Sequence, residues 1–333
     1  MSARESIIPV FVPHLGCPND CVFCNQRRIS GSVTSATPED VRAAIERAKT
    51  LTEPEGRRQL AFYGGSFTAI PVREQEALLG AAQPYLQSGD IAAIRLSTRP
   101  DAIDGEVLSR LRRCGVETIE LGAQSMSDRV LALAGRGHTA QDVADAAKAV
   151  KAAGFKLILQ MMTGLPGADD ECDVDSARAI AALEPDGVRV YPTVIVRDTA
   201  LYDLWKAGRY REHTVEDAVR VCARILPIFE SAGIPVIRLG LNPTEDLSGG
   251  DAVGGAYHPA LGELVKSRIM REKAEALLSG AQPGSEAVIR VNPRLMSQLV
   301  GQHGANRTHL IERFGLKRLR VKPDAGVSCI ELD

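Results

Sequence analysis

Two hydrophobic repeats alternate along the first 240 residues of the chain. Short apolar runs typical of strands occur at residues 7–12, 59–63, 92–97, 116–121, 156–161 and 187–191. Between them, apolar residues return every three to four positions, which predicts amphipathic helices at 38–50, 72–87, 104–113, 139–153, 170–182 and 215–231. Helices that alternate with strands connect parallel strands. The pattern predicts an α/β fold, a partial (β/α)6 barrel with its chemistry at the carboxyl ends of the strands.

A turn-rich run at 279–285 separates this region from a small C-terminal segment. There the pattern predicts a strand (287–291), a helix (293–300), the loop Gly301-Gln302-His303-Gly304, a helix (305–314) and two strands (316–321 and 326–332). This order resembles a KH domain, whose GxxG loop clamps a nucleic-acid backbone. We therefore expect a barrel over 1–240, a barrel-covering extension over 241–280 and a KH-like RNA-binding domain over 286–333. The alternative is a small α/β cap in which GxxG is only a turn between helices.

Composition indicates the class of protein but not its function. The 333 residues are 44% hydrophobic and 25% charged, as in soluble globular proteins. No apolar stretch approaches the roughly 20 residues of a membrane span, and the N-terminus lacks the features of a signal peptide. We therefore expect a cytoplasmic protein with no membrane partner. Charge is uneven: residues 286–333 carry eight Lys and Arg against five Asp and Glu, whereas the remainder carries 32 against 37.

Three cysteines follow the first predicted strand with the spacing C-x3-C-x2-C, namely Cys17, Cys21 and Cys24. Cluster irons are held by cysteine sulfur, and three thiolates without a fourth leave one iron of a [4Fe–4S] cluster open. A disulfide framework would need a denser, even set of cysteines. A zinc site would need a fourth ligand, for which His14 is the nearest candidate. The other four cysteines stand alone and are expected to be buried small apolar residues.

The cysteine spacing resembles that of the radical S-adenosylmethionine (SAM) superfamily, in which the amino and carboxylate groups of SAM bind the open iron. The run Tyr63-Gly64-Gly65-Ser66 at the end of the second strand resembles the superfamily's glycine motif for the SAM amino group. Further runs over residues 7–270 resemble the Elp3-like branch, which is related to oxygen-independent coproporphyrinogen oxidase. They are LGCPNDCVFCNQ, FYGGSFTAIP, STRPDAI, IELGAQS, GLPG, VRVYPTVIVRDTALYDLWKAGRY, VIRLGL and AYHPALGELV.

This resemblance implies both cofactors and a mechanism. A [4Fe–4S] cluster donates an electron that cleaves SAM to methionine and a 5′-deoxyadenosyl radical, which abstracts a hydrogen atom from the substrate, while the protein binds and orients. Gln124 and Arg136 stand where relatives contact SAM. Ser97 and Gln160 stand where relatives have acidic residues and are weaker candidates. Phe23 either packs against the adenine or fills the core.

The resemblance also bears on substrate and partners. We expect neither the acetyltransferase domain nor the basic N-terminal region of Elp3 proteins, so acetyl-CoA is not assumed as the target. The first interpretation is a transferase-type enzyme that modifies a tRNA or rRNA nucleotide, with flavodoxin or ferredoxin as electron donor. The alternatives are a small-molecule enzyme or a haem carrier related to coproporphyrinogen oxidase. The expected RNA contacts are Gly301, Gln302, His303, Gly304, Arg307 and Arg318.

Overall fold

The computed structural model of the chain describes residues 5–12, 21–24, 36–51, 57–241 and 250–333. Within these ranges, seven parallel strands form one curled, open sheet in the order β1-β2-β3-β4-β5-β6-β8. The strands of this sheet are β1 (Glu5–Val12), β2 (Arg57–Gly64), β3 (Ala93–Thr98), β4 (Val116–Gln124), β5 (Lys156–Thr163), β6 (Gly187–Pro192) and β8 (Val236–Leu239). The predicted α/β class with an open parallel barrel is confirmed.

Helices follow the strands and cover the outside of the sheet. In this region they are α1 (Pro38–Leu51), α2 (Val72–Ser88), α3 (Gly105–Arg113), α4 (Asp128–Leu133), α5 (Ala140–Ala152), α6 (Asp170–Ala182), α7 (Ala200–Lys206) and α8 (Val215–Ser231). Several begin at a side chain that accepts a backbone N–H, which satisfies a donor that the first turn leaves unpaired. Thr139 and Thr214 form reciprocal capping boxes with Asp142 and Asp217. All six predicted helices and all six predicted strands are present, with bounds within three residues of those predicted.

Alternate residues of each strand face two different environments. One set packs apolar side chains against the helices, for example Leu60, Leu96 and Leu121, which are fully buried. The other set faces the concave side of the sheet, called the lumen below, and is largely polar on β3, β4 and β6. Side chains of a strand alternate between faces, so this pattern places the apolar core outside the lumen.

Two strand features of the barrel were not predicted from the sequence, nor were the short helices α4 and α7. The seventh strand, β8, has four residues and follows Pro235, which is too short for a strand pattern to be recognised. Beside the sheet, β7 (Val194–Val196) pairs with β9 (Ala252–Gly255) in an antiparallel ladder. No helix in the described part of the chain is long and apolar enough to cross a membrane.

The C-terminal segment forms a second small core. Its strands are β10 (Glu286–Val291), β11 (Arg318–Pro323) and β12 (Ile330–Leu332), with β10 in the centre, parallel to β11 and antiparallel to β12. Its helices are α10 (Met296–Val300) and α11 (Ala305–Phe314). The last two strands begin later than predicted because the chain first turns at Gly315 and again near Asp324.

One helix, α9 (Leu261–Leu277), belongs to both cores. Val265 packs into the barrel core, whereas Met270 and Ala274 pack with β10 and α11. The second core therefore attaches to the barrel through a continuous helix. The KH-like identity of this segment and the boundaries of the three parts stay predictions.

Candidate functional site

A cavity of about 150 Å³ lies at the carboxyl ends of β2 to β5. Because parallel strands end at one edge of the sheet, residues far apart in the sequence meet there. The cavity is lined by Cys21, Phe23, Cys24, Gly64, Gly65, Ser66, Ser97, Thr98, Arg99, Gly122, Gln124, Arg136 and Gln160. Every described residue that the sequence assigned to the cluster or SAM lines this cavity, except Tyr63. Cys17 and His14 lie outside the described residues.

The loop that carries the cysteines is fixed by backbone hydrogen bonds. The Cys24 N–H donates to the Cys21 carbonyl at 2.9 Å, which makes a tight turn. The Val22 N–H donates to Ala134, and the Leu201 N–H donates to Val22 at 2.7 Å. Phe23 packs against two small apolar clusters and also lines the cavity. The two expectations for Phe23 are therefore compatible: its ring fills core and faces the cavity.

Arg136 is buried beside the cysteine loop. Its Nη1 donates to Cys21 Sγ at 3.5 Å, and its Nη2 donates to the Gly122 carbonyl at 2.7 Å. A Cβ on Gly122 would lie 2.9 Å from Gln124 Nε2 and 3.2 Å from Arg136 Nη2. A side chain at position 122 would therefore displace the Gln124 amide and crowd the Arg136 guanidinium. The guanidinium thus places a positive charge against a cysteine sulfur at the cavity.

Gln124 reaches the cavity from a strained position at the end of β4. Its φ is +65°, and the β4–β5 register shifts between Gly122 and Gln124 as in a β-bulge. The Ala123 carbonyl holds this bulge by accepting from Ser125 N–H at 2.9 Å and from His138 Nε2 at 3.2 Å. Burial, and then the charge of Arg136, lower the pKa of His138 to about 4. The imidazole is therefore neutral and donates through Nε2.

His138 was missed by the sequence reasoning. The signal was the run Arg136-Gly137-His138, in which a histidine stands two residues after an assigned SAM contact. The His138 side chain acts by donating to a backbone carbonyl, that of Ala123. A partner of this kind has no sequence motif. Only the fold shows that it supports Gln124.

The glycine motif after β2 is joined to β3. Gly64 has a φ of +101°, and the Gly65 N–H donates to the Val12 carbonyl at 2.9 Å. Ser66 Oγ lies 2.9 Å from Thr98 Oγ1 and accepts from the Arg99 N–H at 3.2 Å. The hydroxyl of Ser66 thus positions the loop against β3, which keeps the glycine backbone at the cavity wall.

Below the cavity, the lumen contains a fully buried carboxylate, Glu120. Its partners are Tyr63 OH at 3.1 Å, Arg95 Nη1 at 3.3 Å, Gln160 Nε2 at 2.9 Å and Arg189 Nε at 2.9 Å. Burial, and then the charge of Glu120, raise the pKa of Tyr63 to about 12. Tyr63 therefore belongs to this cluster as a neutral phenol. Sequence reasoning did not find Glu120, Arg95 or Arg189, since their relation spans several strands.

Ser97 and Gln160 are adjacent in the wall between the cavity and the lumen. Gln160 Nε2 lies 3.5 Å from Ser97 Oγ. Both residues line the cavity, and the same Gln160 amide nitrogen bonds Glu120. These two polar side chains thus connect the cavity with the carboxylate of Glu120.

The GxxG loop connects α10 with α11 and exposes Gln302 and His303. Gly301 and Gly304 have φ of +76° and +78°, and a Cβ on Gly301 would lie 2.9 Å from the Asn306 nitrogen. Asn306 is buried and donates through Nδ2 to the Ser267 carbonyl at 2.9 Å and the Gln298 carbonyl at 3.0 Å. The loop is thereby docked onto α9.

The two arginines assigned to RNA both lie near β11. Arg307 donates through Nε to the Leu319 carbonyl at 3.1 Å, while Arg318 is exposed at the start of β11. Arg320, two residues on, lies 3.5 Å from Glu286. The contact of Arg307 gives it a structural role as well, and its assignment to RNA stays a prediction.

The thiols fit an iron–sulfur cluster by their chemistry. Cys21 and Cys24 line one cavity, with a guanidinium against the first sulfur. Over the described ranges, no three His, Cys, Asp or Glu side chains converge to form a metal site, and Cys17 falls outside those ranges. Thiolate donors beside a buried cation are the environment that such clusters take.

Comparison with known proteins gives the family. Residues 11–180 match the radical SAM superfamily, and residues 185–271 match the radical SAM C-terminal domain. Human Elongator complex protein 3 and the tRNA uridine(34) acetyltransferase of Methanocaldococcus jannaschii are each 28% identical over 256 residues. Each alignment covers 65% of this chain and 47% of the relative, so the chain spans about half the length of these curated relatives.

A solved structure supports the fold. Elp3 of Methanocaldococcus infernus with an N-terminal deletion (1-46) has a TM-score of 0.65 at 24% identity, covering 82% of this chain and 64% of that chain. The superfamily match spans more than half of the present chain, and it includes the cysteine loop and the cavity-lining strands. The chain belongs to the radical SAM superfamily, and its curated relatives include Elp3 proteins.

Proposed function

We propose that this radical SAM protein is an enzyme that modifies a nucleotide of an RNA, either tRNA or rRNA. The single observation that supports it best is the cavity at which Cys21, Cys24 and Arg136 meet the glycine motif and the ends of β3 to β5. In this proposal, Cys17, Cys21 and Cys24 hold a [4Fe–4S] cluster and the cavity holds SAM. A bound cluster and SAM supply a 5′-deoxyadenosyl radical that removes a hydrogen atom from a substrate C–H bond.

The residues of the chain bind and orient. Arg136 offsets the negative charge of the Cys21 thiolate from 3.5 Å. Gly64 and Gly65 allow a ligand to approach the backbone closely, and Gln124 presents an amide from the bulge. The buried surroundings of Arg136 strengthen these polar interactions, since the local dielectric constant is low.

Three observations favour RNA as the substrate. One curated relative is named a tRNA uridine(34) acetyltransferase. Residues 286–333 carry a net charge of +3, from eight cations and five anions, and expose the GxxG loop. That loop docks on α9 beside Ser267, and α9 begins at Leu261, whose side chain meets Gly240 just beyond β8. The loop therefore attaches to the helix that starts at the catalytic edge of the barrel.

The test is anaerobic turnover of the cluster-reconstituted protein with SAM and a reductant, with and without total cellular RNA. We expect RNA to increase production of 5′-deoxyadenosine at least severalfold. Cys24→Ala should abolish production and cluster iron, whereas Cys114→Ala, which alters a partly buried cysteine at the end of α3, should retain both. Equal production of 5′-deoxyadenosine with and without RNA would reject RNA as the substrate. Absence of 5′-deoxyadenosine would reject SAM cleavage.

A further inference from the structure

The lumen of the sheet is lined by polar groups, whereas the interior of a closed (β/α)8 barrel is filled by branched apolar side chains. These residues alternate with the apolar core positions on β2 to β8: Tyr63, Arg95, Ser97, Glu120, Gln160, Arg189, Tyr191 and Arg238. Charges inside a protein lower its stability unless they are fully paired. This polar layer is therefore better explained by a role in binding a ligand than by a contribution to folding stability.

The strand register connects this layer with the cavity. Gly122 pairs with Gln160, Gln160 with Arg189, and Arg189 with Arg238 across four neighbouring strands. Residues in register on parallel strands point to the same side of the sheet. Gly122 and Gln160 line the cavity, and Arg189 and Arg238 follow them on β6 and β8, beside the cavity lining and after a shift in the β6–β8 register.

Contacts of the side chains agree with the register. Gln160 Nε2 and Arg189 Nε both lie 2.9 Å from the same oxygen, Glu120 Oε2. Arg189 Nη2 also donates to Tyr63 OH at 3.2 Å. These contacts fix the Arg189 guanidinium next to Gln160, which lines the cavity.

Positive charge exceeds negative charge in the described part of the lumen. The single carboxylate of Glu120 is shared by Arg95 and Arg189. Arg238 donates to the carbonyls of Gly240 at 2.9 Å and Leu241 at 2.8 Å, which carry no net charge. Burial raises the pKa of both Tyr63 and Tyr191, so the two phenols stay neutral.

We propose that Arg189 and Arg238, together with the Tyr191 hydroxyl, form a substrate subsite beside the SAM cavity that binds an anionic group, a phosphodiester or a carboxylate. Glu120 is its positioning residue, since its two carboxylate oxygens accept from Nε at 2.9 Å and from Nη2 at 3.3 Å of the Arg189 guanidinium. Guanidinium groups bind both kinds of anion through charge-assisted hydrogen bonds. The inference rests on the proposed function, in which SAM fills the adjoining cavity and the anion is a phosphate next to the target nucleotide.

The test uses cluster-reconstituted protein saturated with S-adenosylhomocysteine. Equilibrium dialysis would give the affinity for the dinucleotide UpU, for its uncharged methylphosphonate analogue, and for acetate as a competitor. We expect UpU to bind about tenfold more tightly than the neutral analogue at low salt. Arg238→Gln should remove this preference, while Arg178→Gln, which changes an exposed arginine paired with Asp175 on α6, should keep it.

One control separates binding in the lumen from binding by the GxxG loop. The titrations are repeated in the double variant Gln302→Asp/His303→Asp, so that binding by the GxxG loop does not contribute. Arg189→Gln would leave Glu120 with one cation fewer and could unfold the protein, so the half-buried Arg238 carries the test.

Equal affinity for UpU and its neutral analogue, with no competition by acetate, would overturn the subsite. A phosphate preference that survives Arg238→Gln would overturn it as well. Competition by acetate without a preference for UpU would support an anion subsite that takes a carboxylate rather than RNA. Failure to bind S-adenosylhomocysteine, measured on the same sample, would reject the SAM cavity instead of the anion subsite.

Discussion

Gly164 and Gly208 have nearly the same backbone conformation in different surroundings. Their φ angles are +72° and +69°, a region that disfavours side chains. A Cβ on Gly164 would lie 2.1 Å from His213 Cγ, whereas nothing lies within 4 Å of one on Gly208. We predict that Gly208→Ala lowers the free energy of unfolding by about 1 kcal/mol through backbone strain alone.

Gly164→Ala should cost at least about 3 kcal/mol, because the imidazole of the buried His213 must also move. Urea denaturation of both variants measures the difference. Equal losses would mean that the close contact between His213 and Gly164 is not present in solution.

At this scale, the sequence revealed residues whose role depends on local spacing. The cysteines and the Gly64-Gly65 pair could be found because their chemistry requires neighbours in the chain. Glu120 and Arg189 could not, since they are 69 positions apart and meet only after the sheet has curled. Each looks like an ordinary charged residue within an apolar run.

The loop after β5 is held through both backbone polar groups of Gly164. The Gly164 N–H donates to Asp173 Oδ2 at 2.8 Å, and Tyr210 OH donates to the Gly164 carbonyl at 2.7 Å. This loop carries Leu165, which packs in the same cluster as Phe23. The position of α6 thus affects the cavity through the loop.

Asp173, on α6, makes the stability of this element depend on pH. Burial raises the pKa of its carboxyl to about 7 from 3.8, so the folded state binds a proton more tightly than the unfolded state does. The contribution of the protonated Asp173 carboxyl to folding stability is complete below about pH 4 and is lost as the pH rises to about 7. We predict that Asp173→Asn gains stability relative to the unchanged protein over this window, by on the order of 4 kcal/mol. Unfolding free energies at pH 5, 6, 7 and 8 measure it, and a constant difference would contradict the prediction.

Elements were predictable where they were long and periodic. The six long barrel helices were predicted correctly because their apolar residues recur at the helical period and capping residues mark where they begin, as at Thr139 and Thr214. The strand β8 was missed because four residues show no period, and its pairing with β6 depends on the whole sheet. In the C-terminal segment, the start of β11 moved because Leu316 is buried in the turn rather than in the strand.

On the scale of the whole molecule, α9 contributes side chains to both cores and is expected to couple their unfolding. Val265 is fully buried in the barrel core, and Leu278, just after the helix, is fully buried in the C-terminal core. We predict that Val265→Ala and Leu278→Ala shift the same single thermal transition, with Leu278→Ala costing about 2–5 kcal/mol. Calorimetry would contradict this if Leu278→Ala displaced one of two separate transitions.

The central claim is that the barrel and the C-terminal segment act together on RNA. Hydrogen transfer from RNA to 5′-deoxyadenosine tests it most directly. RNA from cells grown in deuterated medium would be incubated with the reconstituted protein, SAM and reductant in ordinary water, and the 5′-deoxyadenosine analysed by mass spectrometry. The account predicts deuterium in the product, and less of it for the Gln302→Asp/His303→Asp variant. Product formed without deuterium would show that the hydrogen atom comes from a molecule other than RNA.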